Sequence, residues 1–331
     1  MRALVVGLGS IGRRHLRNLR AILPAAEIIV WRQYGHAEND AELNPEANKF
    51  AYSFEDAMRA RPEIAIVANP ASLHIDTGLS LARAGVSLLI EKPISSTTKG
   101  VRELIALCTS RGLTLMVGYN LRFQPAMQAM KQQVMEGSIG QVLCLQAEVG
   151  QYLPDWRPES DYSQGVSAQS RNGGGVVLEL SHELDYARWL MGEVTNVSAQ
   201  TKKLSNLKLD VEDTANIHLT FANGAFGNIH LNMIQRNAER ICKLIGTEGT
   251  LVWNGISNGL SRYLARTKSW NQICEPTNAD RNEMFVTELR YFLACVATGS
   301  VPLITGEDGL AVLEIALAIH ESSRLQKTLT I

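Results

Sequence analysis

Lys92 and His182 are the two side chains of this chain best suited to moving a proton, and each stands in a patterned setting. Lys92 follows the apolar run 86–90 and precedes Pro93, so a buried strand ends there and delivers an ammonium beyond its carboxyl end. Desolvation lowers a lysine's proton affinity toward neutrality, which suits exchange with a substrate hydroxyl; the plainer alternative is a surface lysine paired with Glu91. His182 lies in 176–191, a stretch with helical apolar spacing that also holds Glu179, Asp185 and Tyr186. Offsets of three and four residues would put these on one face, where a carboxylate can fix the tautomer of an imidazole that titrates near neutral pH. A purely structural histidine is the commoner alternative.

The chain start supplies what such a pair would act beside. Ala3 to Val6 form a short apolar run, and Gly7, Gly9 and Gly12 follow at G-x-G-x-x-G spacing, with Ser10, Ile11 and Arg13 opening a helix. The first glycine permits a tight turn, the second a close approach of backbone to a pyrophosphate, and the third close packing of helix on strand. The next strand, Glu27–Trp31, ends in Trp31-Arg32-Gln33, where an acid would read the ribose hydroxyl of NAD. Arg32 instead suits the extra phosphate of NADP, which is slightly favoured over NAD, the alternative being a solvated arginine.

Further strands at 63–69, 86–90 and 113–117 alternate with helices, which predicts a doubly wound parallel α/β sheet. Ligands of such a sheet sit beyond the carboxyl ends of its strands. Gly7 to Gly12, Asn69-Pro70 with His74, Glu91-Lys92-Pro93, and Asn120 with Arg122 are therefore expected at one crevice. His74 either touches the cofactor there or caps and packs a helix.

After residue 140 the period changes to two. Alternating segments at 141–152, 194–204, 213–221, 225–235 and 240–245, with a turn at Asn223-Gly224, predict an open, largely antiparallel sheet. Residues 153–175 show no period, and so long a loop is usually functional. Trp156 and Tyr162 could stack on a sugar ring while Arg157 and Arg171 bind a carboxylate or phosphate, or these arginines simply face water.

Composition narrows the class. With 32 basic and 33 acidic residues, a net charge of -1 gives no reason to expect nucleic acid or an anionic membrane as partner. Five scattered cysteines without a C-x-x-C pair read as reduced side chains with no metal site, and no apolar run has membrane-spanning length, so a soluble cytoplasmic protein is expected.

Taken together, GLGSIG, NPASLH, EKPIS, GYNLRFQP and GGGVVLELSHELD, in this order, resemble the motif series of the Gfo/Idh/MocA family of NAD(P)-dependent oxidoreductases. The resemblance implies an N-terminal Rossmann domain over 1–120 and a C-terminal α+β domain over 121–331 that binds substrate and forms a homodimer or homotetramer through its sheet. It implies hydride transfer between the cofactor and a hydroxyl-bearing carbon of a sugar, polyol or acidic sugar derivative. Lys92 matches the functional lysine of the family's E-K-P and His182 the histidine of its H-x-x-D, with Asp185 orienting the imidazole. Many relatives carry an aspartate four residues before that histidine; here that residue is Leu178, and Glu179 is the nearest acid. A redox-assisted lyase or hydrolase with a recycled NAD, and a non-catalytic cofactor sensor, are the alternatives.

Overall fold

The computed structural model describes residues 1–32, 40–277 and 280–331; Gln33, at the end of the second strand segment, lies outside them. Two compact units emerge: Met1–Asn120 with Arg281–Ala311, and Leu121–Asp280 with Val312–Ile331.

The first unit is built on a parallel sheet of six strands: β1 (Arg2–Val6), β2 (Glu27–Trp31), β3 (Lys49–Ala51), β4 (Ile64–Val67), β5 (Ser87–Glu91) and β6 (Leu115–Gly118). They lie in the order β3-β2-β1-β4-β5-β6. Ala3–Val6 and Ile64–Val67 are wholly buried, which explains their unbroken apolar runs: a parallel sheet covered on both faces offers no polar side. β3, unseen in the sequence, has three residues and a single buried side chain, too few for a period to register. The order reverses between β1 and β4, the topological switch point at which open α/β sheets bind ligands.

Assigning all of 121–331 to a second domain needs correction, because Arg281–Ala311 belongs to the first unit. Its helix Asn282–Thr298 lies along the helix Ser10–Ile22: Phe285 meets His15 edge-on at 6.2 Å, the Arg14 guanidinium lies 4.4 Å from the Phe285 ring centre, and the Asn18 and Asn282 amides bond reciprocally at 3.1 and 2.8 Å. Further on, the Ile304 carbonyl accepts from Val117 N–H at 3.2 Å, so the segment also tethers to β6. Helical spacing alone says that a helix has an apolar face, never which sheet that face meets.

The second unit carries a nine-stranded sheet. Its strands are β7 (Val142–Gly150), β8 (Val194–Lys202), β9 (Thr214–Phe221), β10 (Phe226–Asn232), β11 (Glu239–Gly246), β12 (Gly249–Asn254), β13 (Gly259–Leu264), β14 (Ser269–Cys274) and β15 (Leu329–Thr330). The order is β14-β13-β12-β11-β7-β10-β9-β8-β15, antiparallel except for β7 with β10. Leu145, Ala147, Ile217, Leu219, Ile229 and Leu244 fill the buried face. The opposite face is polar: His218 is hydrogen-bonded to Asn228 at 2.6 Å and His230 to Asn216 at 2.7 Å, each pair bridging neighbouring strands.

Two sequence expectations in this unit change. The single helix expected over 176–191 is two, Val176–Glu179 and His182–Met191, because Leu180 leaves helical geometry at φ -101°, ψ 29°. The stretch 153–175, expected to lack structure, winds through four short 3₁₀ turns.

Candidate active site

Sterics at the first loop require glycine. A Cβ on Gly12 would lie 2.1 Å from the Gly7 carbonyl oxygen, and one on Gly7, where φ is +89°, would lie 2.9 Å from the Ala68 oxygen. Both positions are closed by backbone, which draws the ends of β1 and β4 and the start of the helix Ser10–Ile22 into one cradle. Gly9 is the opposite case: nothing lies within 4 Å of its Cβ position, and Gly9 and Ser10 are exposed. No side chain caps this helix and its first turn holds no acid, so its N–H donors and positive dipole end face an open backbone surface. A pyrophosphate is what such a cradle fits. Ile11 is part-exposed beside it and Arg13 is exposed on the same helix.

The ends of β4 and β5 are tied together by His74. One ring nitrogen lies 2.9 Å from the Pro93 carbonyl oxygen and the other 2.8 Å from that of Asn69. Burial pushes its pKa down, so the ring is neutral and donates to one carbonyl at a time. Of the two expectations for His74, cofactor contact or packing, its surroundings show packing: it is 1% exposed and both its nitrogens face backbone carbonyls, tying the Asn69-Pro70 and Lys92-Pro93 loops. The Lys92–Pro93 peptide is cis, Lys92 is part-exposed, and the Asn69 amide donates to Thr77 Oγ1 at 3.0 Å.

Glu91 turns inward. Its Oε1 lies 2.6 Å from His15 Nε2, and Oε2 accepts the Lys92 N–H at 3.2 Å. Burial by itself raises the pKa of this carboxyl, but the His15 bond and charge and the nearby Lys92 outweigh it, leaving the group an anion below its ordinary range. Glu91 is therefore a buried anion next to Lys92, and the two charges act on each other. Asn120, at the end of the unit, is buried.

Arg32, expected to meet a ribose phosphate, is engaged by Asp40. Asp40 is 4% exposed, also faces the Tyr52 hydroxyl at 3.4 Å, and so opposes the arginine with a fixed carboxylate.

In the second unit the helix His182–Met191 rests on two ion pairs. Arg122 grips Asp185 through two bonds, Nε to Oδ2 at 3.0 Å and Nη2 to Oδ1 at 2.7 Å, with both side chains almost wholly buried. Arg240 meets Glu183, itself wholly buried, at 2.9 Å. Arg122 is 3% exposed and braces the helix from inside the unit, and Asp185 carries the other half of this buried pair. Tyr186 is also interior: it meets Trp253 edge-on at 6.0 Å, and burial together with Glu183 pushes its phenol pKa well up. His182 is part-exposed at the first turn of this helix, and Glu179, beyond the break at Leu180, is part-exposed as well.

Of the four loop residues expected at substrate, Arg157 and Arg171 are exposed and Trp156 and Tyr162 part-exposed. The Trp156 indole donates to the Gln151 carbonyl at 3.1 Å, Arg171 Nε to Gln169 at 3.1 Å, and Tyr162 Oη accepts the Lys208 N–H at 3.1 Å. Sequence reasoning passed over His15, Glu183, Arg240 and Glu288. A polar residue inside an otherwise apolar helical stripe, as at His15 beside Leu16 and Leu19 or Glu288 beside Leu289 and Phe292, was the available signal.

The strand order and the glycine cradle define a dinucleotide-binding protein. Comparison agrees: residues 1–119 match the model of the oxidoreductase family with an NAD-binding Rossmann fold, and residues 127–252 match the GFO/IDH/MocA C-terminal domain. The chain belongs to the Gfo/Idh/MocA oxidoreductase family. It is 26% identical to scyllo-inositol 2-dehydrogenase (NAD(+)) of Bacillus subtilis (strain 168), over 98% of this chain and 94% of that one. It is 28% identical to D-apiose dehydrogenase of Paraburkholderia graminis, over 98% and 88%. Among solved structures, a levoglucosan dehydrogenase in complex with NADH and levoglucosan has the same fold, with a TM-score of 0.90 at 21% identity over 100% of this chain and 99% of that one. No helix among the described residues is long and apolar enough to cross a membrane.

Proposed function

We propose that this oxidoreductase transfers a hydride between NAD and a hydroxyl-bearing carbon of a sugar, polyol or acidic sugar derivative, with Lys92 and His182 exchanging the hydroxyl proton. One observation carries the reading. β5 is separated from β1 only by β4, so Lys92 leaves the sheet two strands from the glycine cradle, set on a buried anion and a histidine-tied loop. NAD, when bound, supplies the hydride acceptor. Gly7, Gly9, Ser10, Ile11 and Gly12 hold its phosphates on the open helix end; Asn69, Pro70, Pro93 and Asn120 border it. Lys92 polarises the substrate oxygen and holds its proton, and His182 moves that proton onward, with Glu179 as the nearest acid in sequence. Trp156, Arg157, Tyr162 and Arg171 supply the substrate's outer contacts. The relatives' sugar and polyol substrates support the class. The test is NADH formation across a panel of sugars, inositols and sugar acids: steady accumulation is expected with at least one, and product formed without it would replace the reading by a redox-assisted lyase or hydrolase.

The cofactor reading turns on Asp40. Its carboxylate compensates Arg32, which favours NAD where Arg32 alone would favour NADP. Replacing Asp40 by alanine is expected to raise kcat/KM for NADP relative to NAD about tenfold, the worth of one freed charge-assisted hydrogen bond. An unchanged ratio would remove Arg32 from the ribose site.

We place the enzyme in the cytoplasm, in keeping with five free cysteines, and propose a homo-oligomer formed through the polar face of the nine-stranded sheet. Phe226 stands on that face, 61% exposed among Asn228 and His230. Light scattering is expected to give a multiple of 36.4 kDa, and Phe226→Asp to lower it. A wild-type mass of one chain would refute this.

A further inference from the structure

Behind Lys92, three buried ionisable side chains converge from three elements. His15 comes from the helix Ser10–Ile22, Glu91 from the end of β5 and Glu288 from the helix Asn282–Thr298. Their exposures are 0%, 7% and 0%. His15 Nε2 is committed to Glu91 at 2.6 Å. His15 Nδ1 and both Glu288 carboxyl oxygens are buried without a hydrogen-bond partner among the described residues. Phe285, one turn before Glu288, packs edge-on against His15 and anchors this stretch of helix to the ring.

The chemistry of these atoms is complementary. When a singly protonated His15 donates from Nε2 to the Glu91 anion, Nδ1 is left as a bare acceptor. Burial, and then the charge of Glu91, push the Glu288 carboxyl well above its usual range, which favours the protonated form, a hydrogen-bond donor. A buried acceptor and a buried donor, each otherwise unsatisfied, gain most by serving one another. Among the described residues, Lys92 just beyond β5, the neutral His74 across the Pro93 loop and Arg14 over Phe285 also lie around the cluster.

We propose that Glu288 donates its carboxyl proton toward His15 Nδ1 through one bridging water, and thereby fixes the His15 tautomer whose Nε2–H holds Glu91 beneath Lys92. Glu288 and His15 are then positioning residues. Without the donor, the ring can turn its bare nitrogen toward Glu91, which raises the proton affinity of Glu91 and withdraws the negative charge that supports the Lys92 ammonium. The effect on Lys92 rests on the proton-exchange reading above; the effect on His15 does not.

The full-length enzyme with ¹⁵N-labelled histidine gives the test, as wild type, Glu288→Gln, which keeps a donor, and Glu288→Met, which does not. Ring-nitrogen NMR is expected to show one His15 tautomer, Nε2–H, in wild type and in the glutamine variant, and a mixture in the methionine variant. In kcat/KM profiles for sugar oxidation the methionine variant's acid limb moves to lower pH, while the glutamine variant stays within about threefold of wild type. A His15 ring that keeps a single Nε2–H tautomer in the methionine variant overturns the proposal. A tautomer mixture with an unmoved acid limb overturns the role of Lys92 and leaves the Glu288–His15 arrangement in place. Should the methionine variant fail to fold, the glutamine variant answers through stability. A carboxyl whose folded pKa is raised gives stability that is full below its unfolded value and lost as pH rises through the folded one. The melting-temperature advantage of Glu288→Gln over wild type therefore widens from about pH 5 to about pH 8; a constant difference means that Glu288 is ionised in the fold and sinks the proposal.

Discussion

Alanine in place of Lys92 is expected to lower kcat by about 10²- to 10⁴-fold while leaving the Kd for NADH within about threefold of wild type. The split follows from position. The pyrophosphate cradle is made of backbone at Gly7 to Gly12 and an uncapped helix end, none of which involves the lysine side chain. Glu91 keeps its bond to His15, and the loop keeps His74. What is lost is the ammonium at the substrate oxygen, which acts in the transition state more than in cofactor binding. Stopped-flow turnover beside NADH fluorescence titration separates the two quantities, and near-normal turnover would remove Lys92 from the chemistry.

The second large effect is on stability. Asp185→Ala is expected to destabilise the second unit by about 3–5 kcal/mol, because the Arg122 guanidinium would stay buried with its carboxylate gone. The melting temperature should fall by on the order of 10 °C. The paired replacement Arg122→Met with Asp185→Leu should recover most of that loss, since removing both charges leaves no uncompensated ion. Differential scanning calorimetry on the single and double variants decides. If the double variant is as unstable as Asp185→Ala, the cost lies in packing against Trp189, over which Arg122 lies at 5.6 Å, and not in charge.

These two expectations divide along the line between what a sequence displays and what it conceals. The cradle was legible because backbone closure admits no side chain at Gly7 and Gly12, and that requirement is written as glycine at fixed spacing. The strand ends carrying Asn69 and Lys92 were legible because unbroken apolar runs stop there. The Arg122–Asp185 pair was not, since 63 residues separate its members and nothing local distinguishes a buried arginine from a ligand-binding one. Helical spacing through 176–191 likewise hid the break at Leu180, which is a matter of two dihedral angles and leaves the apolar pattern intact. Arg32 is legible from its place at a strand end, but its pairing with Asp40, eight residues on, is not, because the intervening chain gives no local sign of which acid faces it.

The return of Arg281–Ala311 to the first unit has a consequence for the order of events on the ribosome. Phe285 closes over His15 only after the chain has been made past residue 281, so the amino-terminal sheet emerges early with one flank of its first helix bare. Nucleotide affinity should therefore arrive late in synthesis, and a nascent chain halted before Arg281 would present that flank, with His15 and Asn18 uncovered, to chaperones instead of to its own closing helix.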